Sequence, residues 1–222
     1  MLIAGGYQIA RVADIPWEDR MNVDGWPSRA GMYCNDVENS LCMRLIDYPV
    51  GSTEPRHVHA GTHATTVLKG RMIVDGLTLG PLDVILGPSN EPHGPLHYPE
   101  GCQLFSAFVG SYFHSEVENL GAEKHYRLVQ SEQIPWQRAG EALEKKTLVD
   151  HGCGRVLLEA LRVDAGAQID KPAMLAAIVV HGEAAIDDER LGPWDFFYVP
   201  AGVDRMPVRF ARKSTLLTVT LL

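Results

Sequence analysis

Five of the nine histidines in this 222-residue chain fall between positions 57 and 97. His57, His59 and His63 stand together in "HVHAGTH", and His93 follows in "EPHG". Imidazole is a ligand for Zn, Cu, Fe and Ni, so a cluster of this kind points to a divalent transition metal. In an extended strand residues i and i+2 face the same way, which presents His57 and His59 side by side with Val58 turned away. His63 comes after Gly61, where the chain can bend back, and His93 arrives from a separate stretch. Surface hydrogen bonding accounts for a lone histidine, but not for His-x-His-x3-His with a fourth about thirty residues on. The spacing predicts one metal held by His57, His59, His63 and His93, with Fe, Zn, Ni or Mn as the ion. His97 and Tyr98 follow closely and are the candidates for moving a proton or orienting a substrate. Packing is the simpler role for Tyr98, and His97 is expected behind the ligands or in the pocket wall. His114, His125, His151 and His181 have no clustered partners.

The elements that must hold these rings read as strands. The chain has 21 Gly and 14 Pro, which punctuate it too often for long helices. "TTVLKGRMIVDG" is β-branched and apolar and is broken by Gly70 and Gly76, as a hairpin would be. "DVILGP" and "DFFYVPAG" are short apolar runs ending in proline, and "STLLTVTLL" closes the chain as another strand. Only "PWQRAGEALEKK" (135–146) reads as a short helix.

The chain also contains itself twice. "IPW" occurs at 15–17 and 134–136, "YPVGSTEP" aligns with "VDAGAQID", "VLKGRMIVDG" with "VVHGEAAIDD", and "GPLDVILGP" with "GPWDFFYVP". The offsets shrink from 119 through 115 to 112, as they would for a duplicated unit that has lost about seven residues in its second copy. The polar stretch "SEVENLGAEKHY" is the seam. The expected organisation is all-β: residues 1–118 as a metal-binding unit and 119–222 as a degenerate copy.

These residues resemble the cupins. Their first motif, G-x5-H-x-H-x3,4-E-x6-G, is matched by Gly51, His57, His59 and Gly70, with His63 in the place of the glutamate. In their second motif, G-x5-P-x-G-x2-H-x3-N, Pro88 and His93 match, whereas Leu82, Asn90 and His97 depart. Asn90 for glycine is a mild departure, because asparagine tolerates a left-handed backbone. The resemblance implies two tandem double-stranded β-helix (jelly-roll) barrels, a bicupin. In the second copy Trp194, Pro200 and Gly202 keep the framework, but Arg205 stands where His93 stands in the first, and "IDKPAML" holds no histidine. That copy is expected to hold no such metal, with Arg205 in an internal ion pair or on an anionic group. Two branches look most similar: the cupin domain of ChrR-type anti-sigma factors, and the acetylacetone and dihydroxyacetophenone dioxygenases, which hold Fe(II) with histidines. The separate H-x3-C-x2-C zinc element of those anti-sigma factors is missing from this sequence.

Composition narrows the partners. A net charge of −8 without a basic stripe argues against nucleic acid. No apolar run approaches the ~20 residues that span a bilayer, and there is no secretory signal pattern. Four cysteines without a C-x-x-C pair fit reduced, packed thiols in the cytoplasm. Three functions fit. The first is a metal-dependent enzyme, with dioxygenase-type chemistry on a small anionic or chelating molecule, favoured because neutral ligands leave the ion's charge uncompensated. The second is a ChrR-like regulatory module whose metal or ligand state controls a protein partner. The third is a structural metal, which four closed histidines would favour over catalysis. A homodimer is compatible with all three.

Overall fold

The computed structural model describes residues 2–112, 114–116, 126–150, 156–170, 174–199 and 206–221. The described residues form strands joined by turns, with one short 3-10 turn at Ser131–Gln133. The helix expected over 135–146 is not formed. Gln137–Arg138 and Leu143–Val149 are strands there, and Gly140 sits in the bend between them. "LEKKTLV" pairs along its length with Val156–Val163, and that pairing outweighs the helical propensity of Glu and Lys. Among the described residues no helix is long and apolar enough to cross a membrane.

Two compact units are present: Pro16–Ser131, and Met1–Ile15 with Glu132–Leu222. The second therefore opens with β1 (Leu2–Ala4) and β2 (Tyr7–Ala10). The unit Pro16–Ser131 contains β3 (Trp17–Met21), β4 (Pro27–Asp36), β5 (Leu41–Tyr48), β6 (Ser52–Glu54), β7 (His57–His59), β8 (Thr62–Gly70), β9 (Met72–Val74), β10 (Leu77–Leu79), β11 (Val84–Gly87), β12 (Leu96–Tyr98), β13 (Cys102–Val109), β14 (His114–Glu116) and β15 (Arg127–Val129). A seven-stranded sheet, β15-β11-β8-β13-β5-β4-β3, accompanies a four-stranded sheet, β10-β9-β12-β6, and the pair β14-β7. Val67, Leu104 and Ile85 from the large sheet and Met72, Leu96 and Tyr98 from the small one share a single core. The hairpin between β9 and β10 turns on Asp75 and Gly76, both at positive φ (51° and 77°), as a two-residue turn matched to strand twist requires.

The other unit continues with β16 (Gln137–Arg138), β17 (Leu143–Val149), β18 (Val156–Val163), β19 (Gln168–Ile169), β20 (Ala176–His181), β21 (Ala184–Ile186), β22 (Glu189–Leu191), β23 (Phe196–Tyr198), β24 (Val208–Arg209) and β25 (Ser214–Leu221). Its sheets are β1-β2-β23-β20-β25-β18-β17-β16 and β19-β24-β21-β22, packed around Ile9, Phe197, Val179 and Leu216. In neither unit does a described sheet close on itself, so the expected barrels are open sheets packed face to face. Side chains from facing sheets fill the interior, so burial does not require the ladder to close.

The internal repeat is written into the hydrogen bonds. Leu82 and Trp194 both take φ of 71°, and Asp75 and Asp187 take 51° and 54°. Leu82 N donates to Val67 O and Trp194 N to Val179 O, at 2.8 and 2.7 Å. Asp83 and Asp195 then cap the same turn, each accepting the N–H of the glycine three residues earlier (2.8 and 2.9 Å). Leu82 occupies the glycine position of the second motif. The left-handed backbone there is held by the turn at a cost of about 1–2 kcal/mol.

Each aspartate also receives the segment that precedes an "IPW". Ser131 N donates to Asp83 Oδ1 (2.7 Å), and Val12 N to Asp195 Oδ1 (2.9 Å). "YRLV" pairs with β11, and "YQIA" pairs with β23. Each unit therefore takes one strand from the other sequence copy. The units part at 15/16 and 131/132, whereas the sequence division at 118/119 lies outside the described residues. Pro200, Gly202 and Arg205 also lie outside them.

Candidate metal centre

Three histidines converge. One ring nitrogen from each of His57, His59 and His93 lies within 4.8 Å of the others. Among the described residues, they alone form a group of three or more His, Cys, Asp or Glu side chains placed to share an ion. Their ring centroids stand 4.9 Å (57–59), 4.2 Å (57–93) and 5.2 Å (59–93) apart. Strand alternation supplies the first two, and a backbone bridge brings in the third. His57 N donates to His93 O and His93 N to His57 O, each at 3.0 Å. The loop carrying His93 is held from the other side by Asn90, whose N–H donates to His59 O at 2.7 Å. Asn90 has φ 59°, the left-handed conformation that the motif assigns to glycine.

Backbone carbonyls fix two of the tautomers. His57 Nδ1 lies 2.8 Å from Pro55 O and His93 Nδ1 3.3 Å from Glu91 O. A carbonyl only accepts, so each Nδ1 carries the proton and each Nε2 keeps its lone pair. That is the orientation a metal-binding imidazole needs.

His63 stands beside this group rather than within it. Its ring centroid is 4.6 Å from His59 and 4.8 Å from His93. Its Nδ1 meets Thr65 Oγ1 at 3.1 Å, and Thr65 Oγ1 meets Ser106 Oγ at 2.9 Å. The ring is buried against Gly87, where any Cβ would collide with Nε2. That buried Nε2 has no hydrogen-bond partner. Burial first, then the neighbouring His93 and His57, holds its pKa well below the ordinary imidazole value. A neutral imidazole keeps one nitrogen lone pair that a cation can use, and an all-imidazole donor set suits a divalent transition ion.

Tyr98 is fully buried in the cavity beside the histidines, stacked on Tyr48 with centroids 4.1 Å apart. His97 is not in the cavity wall. Alternation along β12 turns Leu96 and Tyr98 inward and His97 to the other side, where its Nδ1 meets Thr53 Oγ1 at 3.1 Å. The wall also contains Arg44, Glu54, Thr65, Ser106 and Phe108, which the motif spacing does not reveal. For Arg44 a signal exists: it is one charge inside the apolar run "LCMRLI", and a charge so placed is buried with it.

No protein-family model matches the chain, and no curated protein matches it. Solved structures do. A protein from Nostoc punctiforme described as a "putative dioxygenase" superposes with a TM-score of 0.80 at 14% identity, covering 99% of this chain and 84% of that one. A variant of oxalate decarboxylase from Bacillus subtilis gives 0.70 at 14% identity, covering 99% and 78%. A variant of salicylate 1,2-dioxygenase from Pseudoaminobacter salicylatoxidans gives 0.61 at 13% identity, covering 82% and 70%. These are cupin-fold proteins, and this chain has their fold. At such identities the likeness speaks for the fold alone.

Proposed function

We propose that the chain is a tandem cupin whose first repeat carries a mononuclear divalent metal site and acts on a small anionic, chelating molecule. The observation that carries this reading is the convergence of His57, His59 and His93, with two of their Nδ1 protons already committed to backbone carbonyls. His57, His59 and His93 are the core ligands, and His63 is a fourth that joins the ion or stays beside it. A bound divalent ion supplies Lewis acidity, and one-electron chemistry where the metal is redox-active. Three or four neutral ligands leave its charge to be balanced by the molecule it binds, which selects anions. Phe108, packed 5.1 Å from the His59 ring and 5.6 Å from that of His63, keeps water from one side. Tyr98 shapes the floor and is held as a neutral phenol by burial, well above its ordinary pKa. The fold neighbours named for dioxygenase and decarboxylase activity make oxidation or carbon–carbon cleavage the reaction types to try first. The second repeat takes no part in metal binding in this reading.

Elemental analysis of protein purified without added metal tests the proposal. About one equivalent of a divalent transition metal is expected, falling at least tenfold in the His57→Ala, His59→Ala double variant. Metal retained by that variant would move the site elsewhere.

A further inference from the structure

Arg44 lies in β5, and the register places it directly opposite Ser106 of β13, which in turn lies opposite Thr65 of β8. Residues opposite one another across neighbouring strands share a face, so these three form one row lining the histidine cavity. The row is continuous with the metal centre through the contacts from Ser106 to Thr65 and from Thr65 to His63 Nδ1.

Arg44 is 3% exposed, and its buried Nε has no hydrogen-bond partner. Its contacts are weak for a buried cation. Nη2 lies 3.5 Å from Glu18 Oε2, on a side chain that is 76% exposed, where water screens the pair. Its carbon sits 4.6 Å over the Tyr112 ring, a contact with no counter-charge. Burial, and next the nearby Arg20, pulls its pKa below the ordinary value. A buried arginine whose one ion pair is long and open to water is costly, and a planar fork of donors recognises a carboxylate in two places at once.

The charge of the whole cavity agrees. Its formally charged wall residues are Arg20, Arg44 and Glu54, a net of +1 before any divalent ion is counted. The space is about 40 Å³, which holds about three waters at 10–15 Å³ each. That limits an occupant beside the ion to the smallest carboxylates. In the second unit the matching row is Glu159, Thr218 and Ala177. Glu159 is paired there with Lys145 at 2.8 Å, so that row offers an anion nothing.

We infer that Arg44 is a carboxylate-binding residue, so that the first repeat takes a small carboxylic acid whose second donor atom faces the histidines. This rests on the metal site proposed above, and the test separates the two. Glycolate and its neutral isostere glycolamide are the probes, each titrated into the full chain by calorimetry, with and without Co(II). The Co(II) absorption spectrum reports the metal site independently. Glycolate is expected to bind and glycolamide to bind more weakly. Arg44→Gln should weaken glycolate by about ten- to a hundredfold while leaving glycolamide and Co(II) stoichiometry unchanged. Arg44→Lys should restore part of the loss, and it replaces the glutamine variant if that one fails to fold. Equal glycolate affinity in wild type and variants, or no binding to wild type, overturns the assignment of Arg44. If Co(II) does not bind but metal-free protein still loses glycolate on substitution, the metal reading falls and the anion site stands.

Discussion

His57 and His93 exchange both backbone hydrogen bonds, so two histidines of the proposed centre, far apart in the chain, are tied by their main chains rather than by their rings. That bridge needs no ion to form. His93→Ala should lose metal at least tenfold yet keep the bridge. Hydrogen exchange at the amide of residue 57 checks this: protection should stay within a factor of about three. Loss of protection would mean that the ring, not the backbone, holds the loop.

Thr65 is the hinge of the polar row. Thr65→Val keeps shape and removes the hydroxyl that both His63 Nδ1 and Ser106 Oγ contact. Two buried polar groups lose a partner, which should cost about 1–3 kcal/mol in urea unfolding. Where His63 joins the ion, metal affinity should also fall about ten- to a hundredfold. An unchanged affinity would place His63 outside the coordination sphere.

Gly87 faces the His63 ring so closely that a methyl group cannot be added without moving it. Gly87→Ala should displace the imidazole and destabilise the protein by about 1–3 kcal/mol. The His63 ring signals in an NMR spectrum should shift, with little change at His181.

The buried thiols set an alkaline limit. Burial pushes Cys34 and Cys102 up to about 12 and Cys42 up to about 11. The folded protein keeps these protons between about pH 9 and 11, where the unfolded chain loses them. It therefore binds more protons than the unfolded state, and stability falls as pH rises. The melting temperature should decline above about pH 9, and iodoacetamide should label these three thiols at pH 8 only after denaturation.

Much of the centre was legible in sequence because it follows a period of two. His57 and His59 face together for that reason, and the loop glycine position taken by Asn90 gave the backbone its shape in advance. What escaped is what register decides. His97 sits one residue from a cavity-facing neighbour, and only the pairing of β12 tells which of the two looks inward. Arg44 reaches the histidines through three strands whose alignment no local spacing encodes. The duplicated turns were readable from the matching strings. Which sheet would receive "YQIA" and "YRLV" was not, since edge pairing is settled by tertiary contacts.

That exchange of strands has a practical edge. Cutting the chain between its two sequence copies would leave each fragment carrying the border strand its sibling needs, with a bare row of amides along β11 or β23 in its place. Such pieces ought to aggregate when made singly and to recover when co-refolded, like two halves of a clasp.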